Sequence, residues 1–121
     1  MATDAELFEM LTINPSEAWG MKNKATLDKG NTADLVVARK KSGLKGLDMF
    51  YGLNPEDILL VMHAGQIRLF DEELAKQLGE TKGFSKVKLG NSIKNAYGDL
   101  PALINSIKKY YPEVYLPVET V

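Results

Sequence analysis

The sequence has 121 residues, 45% of them hydrophobic and 26% charged, the size and usage of one folded domain rather than of a disordered chain or a membrane protein. Fifteen basic against sixteen acidic residues leave a formal charge of -1, too balanced for electrostatic capture of nucleic acid or anionic lipid. The lack of cysteine removes disulfides, thiolate metal sites and cysteine nucleophiles, and makes the cytoplasm the expected compartment. The opening "MATDAELFEM" is acidic where a secretory signal is basic, and no run approaches the roughly 18 apolar residues of a spanning helix.

In residues 4 to 13, Leu7, Phe8 and Leu11 recur at three- and four-residue spacing and predict a helix with one face to be covered. Pro15 disfavours helical geometry at Asn14 and ends it. A second turn of helix is expected at once, with Asn14 as N-cap, Pro15 at the first position, Glu17 completing a capping box and Gly20 as the left-handed stop. Residues 21 to 32 form a connection with a turn at Gly30. "ADLVVAR", residues 33 to 39, is brief, valine-rich and bounded by glycine and charges, which predicts a buried strand; "KKSGLKG" then reads as an exposed loop.

Asn54-Pro55-Glu56-Asp57 resembles a capped helical turn. Residues 58 to 63 and 66 to 70 flank Ala64-Gly65 and predict a β-hairpin. Asp71 caps a short helix through Leu74 and Leu78 that stops at Gly79. Residues 84 to 97 read as a second hairpin about Gly90-Asn91, with the glycine first in the turn. Leu100, Leu103, Ile104, Ile107 and Tyr111 make an amphipathic stripe between Asp99 and Pro112, which predicts a C-terminal helix. The tail is extended, and Pro117 confines it to an edge or an irregular segment.

Chemistry-bearing patterns are few. His63 is the one histidine, so it builds no metal site by itself and reads as a partly exposed strand end. Asp71, Glu72 and Glu73 are explained by a capped first turn, where the helix dipole favours negative charge. Arg39, Lys40, Lys41 and Lys45 have no interleaved aromatics and read as a solvated loop rather than a phosphate contact. Gly43 and Gly46 lack the spacing of a phosphate-binding loop. Trp19, Met21, Tyr97, Tyr110, Tyr111 and Tyr115 are expected in the core rather than around a ligand. No serine lies in a nucleophile elbow, and no residue is assigned a catalytic, cofactor-binding or metal-ligating role.

Three phrases carry a resemblance. Thr12, Asn14, Pro15, Ala18 and Gly20 fit a Thr-x-Asn-Pro-Ala-x-Ala-x-Gly-like phrase, with Ser16 and Trp19 departing from its commoner residues. Gly30, Ala33, Asp34, Leu35, Val36 and Val37 fit Gly-x-x-Ala-Asp-Leu-Val-Val, and Gly65 and Ile67 fit Gly-x-Ile. In this order and spacing, over about residues 5 to 73, the chain resembles the C-terminal part of the amidohydrolase superfamily of metal-dependent hydrolases.

The resemblance implies an α+β fold, a small β-sandwich or hairpin sheet with flanking helices, without the catalytic TIM barrel. Residues 1–20 correspond to the last barrel helix and its kink, 21–73 to sandwich-like strands, and 74–121, outside the common pattern, to a short helix, a second hairpin and the last helix of one domain. The family's metal-ligand motifs lie in the barrel and none occurs here, while a barrel needs about 250 residues. No ligand role therefore passes to Asp4, Asp34 or His63. A divalent metal, zinc foremost, is expected only in a parent barrel. The implied function is an accessory domain, inactive in isolation, of a hydrolase acting on carbon–nitrogen bonds other than peptide bonds. The alternative is a free-standing α+β binding or assembly module. The implied partners are the parent barrel or a second copy of the chain, with neither nucleic acid nor membrane. The face of Leu7, Phe8 and Leu11 must then find cover within the chain or in a partner, and a charge at Leu11 is expected to unfold or disperse the protein.

Overall fold

The computed structural model describes residues 1–79 and 82–121. The chain opens with α1 (Asp4–Leu11) and α2 (Ile13–Ala18). Thr3 caps α1 reciprocally with Glu6, the threonine hydroxyl accepting from the Glu6 N–H and the Glu6 carboxylate accepting from the Thr3 N–H at 2.7 Å, which satisfies two otherwise orphaned donors. At the kink the structure differs from expectation: Thr12, not Asn14, is the residue between the helices, and its hydroxyl donates back to the Phe8 carbonyl at 2.8 Å. Asn14 is the second residue of α2, within its first turn. Pro15 is tolerated there because the first four N–H groups of a helix have no intrahelical partner. Gly20 does stop the helix, at φ +62°. The Met21 N–H bonds the Ser16 carbonyl and the Gly20 N–H the Glu17 carbonyl, the paired closure that a left-handed glycine permits.

The strands are β1 (Leu35–Ala38), β2 (Ile58–His63), β3 (Gln66–Asp71), β4 (Phe84–Leu89), β5 (Ser92–Tyr97) and β6 (Glu119–Thr120). They form one antiparallel sheet in the order β1-β2-β3-β5-β4-β6. The fold is α+β, and of the two forms considered the strands adopt the open hairpin sheet. Ala64 and Gly65 both take positive φ, +50° and +75°, the geometry of a tight two-residue hairpin whose twist matches its strands. In the second hairpin only Gly90 is positive. A Cβ added there would also run into the Glu56 carboxylate.

Two expectations are corrected. The "ADLVVAR" strand is not buried; β1 is the edge of the sheet, with Val36 59% and Val37 43% exposed. A brief apolar run reads the same at an edge as at a centre, because pairing partners are set by distant chain. Beyond the exposed loop the chain also forms α3 (Gly46–Tyr51), too short for its Phe50 to declare a periodicity. The helix owes its place to packing, since Phe50 meets Phe8 edge-on at 5.0 Å.

A 3₁₀ turn (Pro55–Asp57) capped by Asn54 leads into β2, and another (Glu72–Leu74) capped by Asp71 leads into α4 (Ala75–Leu78). The helix α5 (Leu100–Tyr110), capped by Asp99, sends Ile104 into the core and packs on β4. The tail does pair as an edge, β6 on β4. The fully buried apolar core is small: Phe70, Val87, Ala96 and Ile104. Phe84 stands edge-on to Phe70 at 5.1 Å.

A charge shares that core. Lys94 on β5 is 0% exposed, and its Nζ donates to Asp71 Oδ2 at 2.6 Å, to the Ile58 carbonyl at 2.7 Å and to the Glu56 carbonyl at 2.8 Å. All three ammonium protons are used. Removing one member of such a pair strands the other in low dielectric, so Lys94→Met is expected to cost about 3–5 kcal/mol. Urea unfolding would show it, with part of the loss recovered in the Asp71→Asn/Lys94→Met double variant; an unchanged midpoint in the single variant would refute the arrangement.

Candidate functional site

Three places gather side chains with chemical potential. Around Lys94, Asp71 accepts from the Ser92 hydroxyl at 2.7 Å and from the Glu73 N–H at 3.0 Å in addition to the ammonium. Burial pushes the Asp71 carboxyl up, and Lys94, the Glu73 N–H and Ser92 together outweigh that, so it sits below the ordinary value. Glu72 beside it accepts from Lys86 and from the Asn95 amide, both at 2.7 Å, which also lowers its pKa. An open depression of about 440 Å³ lies over this cluster, bordered by Arg39, Asp57 and Ser92. Three of the carboxylates that line it are paired, Asp57 with Lys41 at 2.8 Å, Asp71 with Lys94 at 2.6 Å and Glu72 with Lys86 at 2.7 Å, and the bordering Arg39 is held by Glu73 at 2.6 Å.

At the other end of the sheet, Asp34 closes a corner. Its Oδ1 accepts from the Ala64 N–H at 2.6 Å and lies 3.0 Å from His63 Nδ1, while Oδ2 lies 3.0 Å from Lys24 Nζ. The Ala64 N–H and then Lys24 hold the Asp34 carboxyl below the ordinary value. The Ala-Asp-Leu phrase and the hairpin glycine, separate in sequence, are thus one structural unit: the aspartate before β1 pins the β2–β3 turn. His63 is, as expected, an exposed strand end, 59% open at its side chain.

The third place is apolar. Phe8 and Leu11 of α1, Leu27 of the connection, Val36 of β1, and Phe50 with Leu53 line a groove of about 450 Å³ above the sheet edge. Only Phe8 of the α1 face is half-buried; Leu7 is 40% and Leu11 63% exposed. The face is therefore partly uncovered within the chain.

The basic loop is paired rather than free at two positions, through Arg39 to Glu73 and Lys41 to Asp57; Lys40 and Lys45 are exposed. Asp71 does cap its helix, but the buried pair it makes with Lys94 had no sequence signal, because Ile93 and Tyr97 mark the opposite strand face as the apolar one. The expected aromatic core is corrected: Trp19, Met21, Tyr97, Tyr110, Tyr111 and Tyr115 are all exposed. A terminal helix of one layer has too little neighbouring surface to bury them. Tyr97 carries Arg68 over its ring at 5.1 Å.

His63 and Asp34 are the one histidine–carboxylate pair, and His63 turns Nδ1 and Asp34 both oxygens to existing partners. Among the described residues no three His, Cys, Asp or Glu side chains are grouped to hold a metal ion. Among them, too, no helix is long and apolar enough to cross a membrane.

Acid sensitivity follows from the lowered carboxyls. Asp34, Asp57 and Asp71 bind protons less readily folded than unfolded, so their contribution is complete above about pH 5 and is lost as pH falls below about 4 through the folded values. The urea midpoint should be level above that window and decline beneath it. Asp34→Asn should lower the midpoint at pH 7, and by progressively less as the pH falls from about 4; a loss that does not shrink with falling pH would contradict this.

No curated protein and no solved structure matches the chain. The family model described as the amidohydrolase family matches residues 2–68, the stretch that runs from the cap of α1 through the pinned hairpin into β3. That is more than half of the sequence, and the chain belongs to the amidohydrolase family.

Proposed function

We propose that the chain is the C-terminal accessory domain of an amidohydrolase-like hydrolase acting on carbon–nitrogen bonds other than peptide bonds, and that it is non-catalytic by itself. The observation that carries this reading is the uncovered apolar groove within the family-matched stretch. Leu7, Met10, Leu11 and Ile13 are exposed on the two N-terminal helices, and Leu27 and Val36 extend the same surface. Contiguous apolar surface of this kind marks a docking face. The bend between α1 and α2, with the left-handed Gly20, suits an exit from a barrel helix into a sheet. The domain supports the barrel, which supplies the divalent metal, zinc foremost, and the substrate loops. It works in the cytoplasm, and its balanced charge suits neither nucleic acid nor a membrane surface.

A second reading, a free-standing α+β binding or assembly module, has its own support. Residues beyond the matched stretch contribute the end of β3 and all of β4, β5, β6 and α5, which complete the sheet, and with them all four buried apolar residues, Phe70, Val87, Ala96 and Ile104. An antibody to this chain, used on a denaturing gel of source-cell extract, separates the two. A band heavier by about 27 kDa, the mass of about 250 barrel residues, is expected; a band near 13.4 kDa would overturn the accessory-domain reading in favour of the module.

Leu11 gives a second test. Because it is 63% exposed, the expectation that a charge there unfolds the protein is revised: Leu11→Asp in the 121-residue chain should change stability by no more than about 0.5 kcal/mol. In the barrel-bearing protein the same change should loosen the docked domain and speed its removal by limited proteolysis. Unaltered cleavage there would count against the groove as the docking face.

A further inference from the structure

The outer edge of β1 lacks the usual protections of an edge strand. It is apolar on both faces through Val36 and Val37, and it has no proline or charge between Leu35 and Ala38. The register shift against β2 skips Leu59, leaving β1 itself regular. Such an edge is a template for another strand. The direction of its free groups can be read from its neighbours. The Ala33 carbonyl accepts from the Gly65 N–H, and the Arg39 N–H donates to the Asp57 carbonyl, so the odd residues turn their backbone groups toward the β2–β3 side. Val36 and Ala38 turn theirs outward.

We propose that this edge pairs, antiparallel, with the same edge of a second copy of the chain, making one continuous sheet across two subunits. A two-fold axis normal to the sheet keeps each face with its like, so only two central registers are open: Val36 against Val36, or Val37 against Val37. In the first, Asp34 faces Ala38 and Lys40 faces Thr32. In the second, Val36 faces Ala38 in both directions, joining all of the outward N–H and C=O groups of these residues, and Asp34 faces Lys40 of the other copy. Lys40 is exposed and, among the described residues, makes no ion pair within its own chain. The Asp34 N–H is already given to the Thr32 carbonyl, so it joins the ladder in neither register; the first then keeps only the Val36–Val36 pair complete, whereas the second keeps both Val36–Ala38 pairs complete. Backbone accounting selects the Val37-centred register, in which Lys40 of the other copy joins Lys24 beside the Asp34 carboxylate.

The register sets a test that the cysteine-free sequence makes clean. Val37 meets its own copy at a position without ladder hydrogen bonds, where Cα atoms are about 4.5 Å apart, within the span of a disulfide. Val37→Cys should oxidise to a covalent dimer, while Val36→Cys, offset by two residues from its copy, should do so on the order of tenfold more slowly. Lys40→Glu, added to Val37→Cys, should slow the reaction by setting two carboxylates face to face. In sedimentation, the unmodified chain should approach twice its monomer mass as concentration rises. A monomer at every concentration, or Val37→Cys no faster than Val36→Cys or an exposed Lys109→Cys control, would overturn the proposal and leave the edge to some other strand. The pairing lies in the plane of the sheet and the groove lies above it, so these results stand whether or not a barrel covers the groove.

Discussion

The ammonium of Lys94, removed from water, is held only where β5, β3 and the entry to β2 come together. Asp71 faces Lys94 directly across the β3–β5 seam, and the two carbonyls that take the remaining protons, Glu56 and Ile58, belong to the 3₁₀ turn and first residue of β2. Burying a charge costs several kcal/mol, and a complete set of partners offsets that cost only in one geometry. A slip of one residue at the seam would send Lys94 to the other face and leave Asp71 without its counter-charge. With four fully buried apolar side chains, hydrophobic contact alone discriminates weakly among such slips. The ion pair thus fixes how two hairpins become one sheet.

That seam is also nearly the boundary of the family match, which ends at residue 68 within β3. The matched side carries its own fastening at Asp34, which ties the entry of β1 to the β2–β3 turn. The unmatched side supplies Lys94, its partner Asp71 and all four buried apolar residues. What the amidohydrolase phrases encode here is therefore framework: a bent pair of helices, a pinned corner and a hairpin. The carboxylates of Asp34, Asp57, Asp71 and Glu72 are held by structural partners, and the groove beside the N-terminal helices is apolar.

Much of this was legible in the residues. Pro15, Gly20, Ala64-Gly65, Gly90 and Asp99 act through local backbone geometry, so the helix stop, both hairpins and the last cap follow from neighbours in sequence. What was not legible depends on distant chain. The edge position of β1 is decided by which strand β2 prefers on its other side. The place of α3 is decided by Phe8, 42 positions away from Phe50 by their numbers. Lys94 misleads most: in "SIKNAY" the apolar Ile93 and Tyr97 share one face, yet Ile93 is 37% and Tyr97 55% exposed while Lys94 is sealed. Alternation reports hydrophobicity, and a fully bonded ammonium defeats it. The exposed tyrosines show the converse, aromatic residues for which a one-layer sheet has no second surface.

The strand order carries a consequence for synthesis. The sheet's centre joins β3 to β5 with β4 outside them, so β3 leaves the ribosome before the strand that completes it, and Lys94 follows Asp71 by 23 residues. At cellular translation speeds of about 5–20 residues per second, that interval is roughly one to five seconds. During it β3 can pair with β2 on one side only, and it presents Phe70 and a carboxylate still in water. Only when the second hairpin emerges can the carboxylate trade its hydration for Lys94, so the two hairpins join through a desolvation step before α5 and β6 follow.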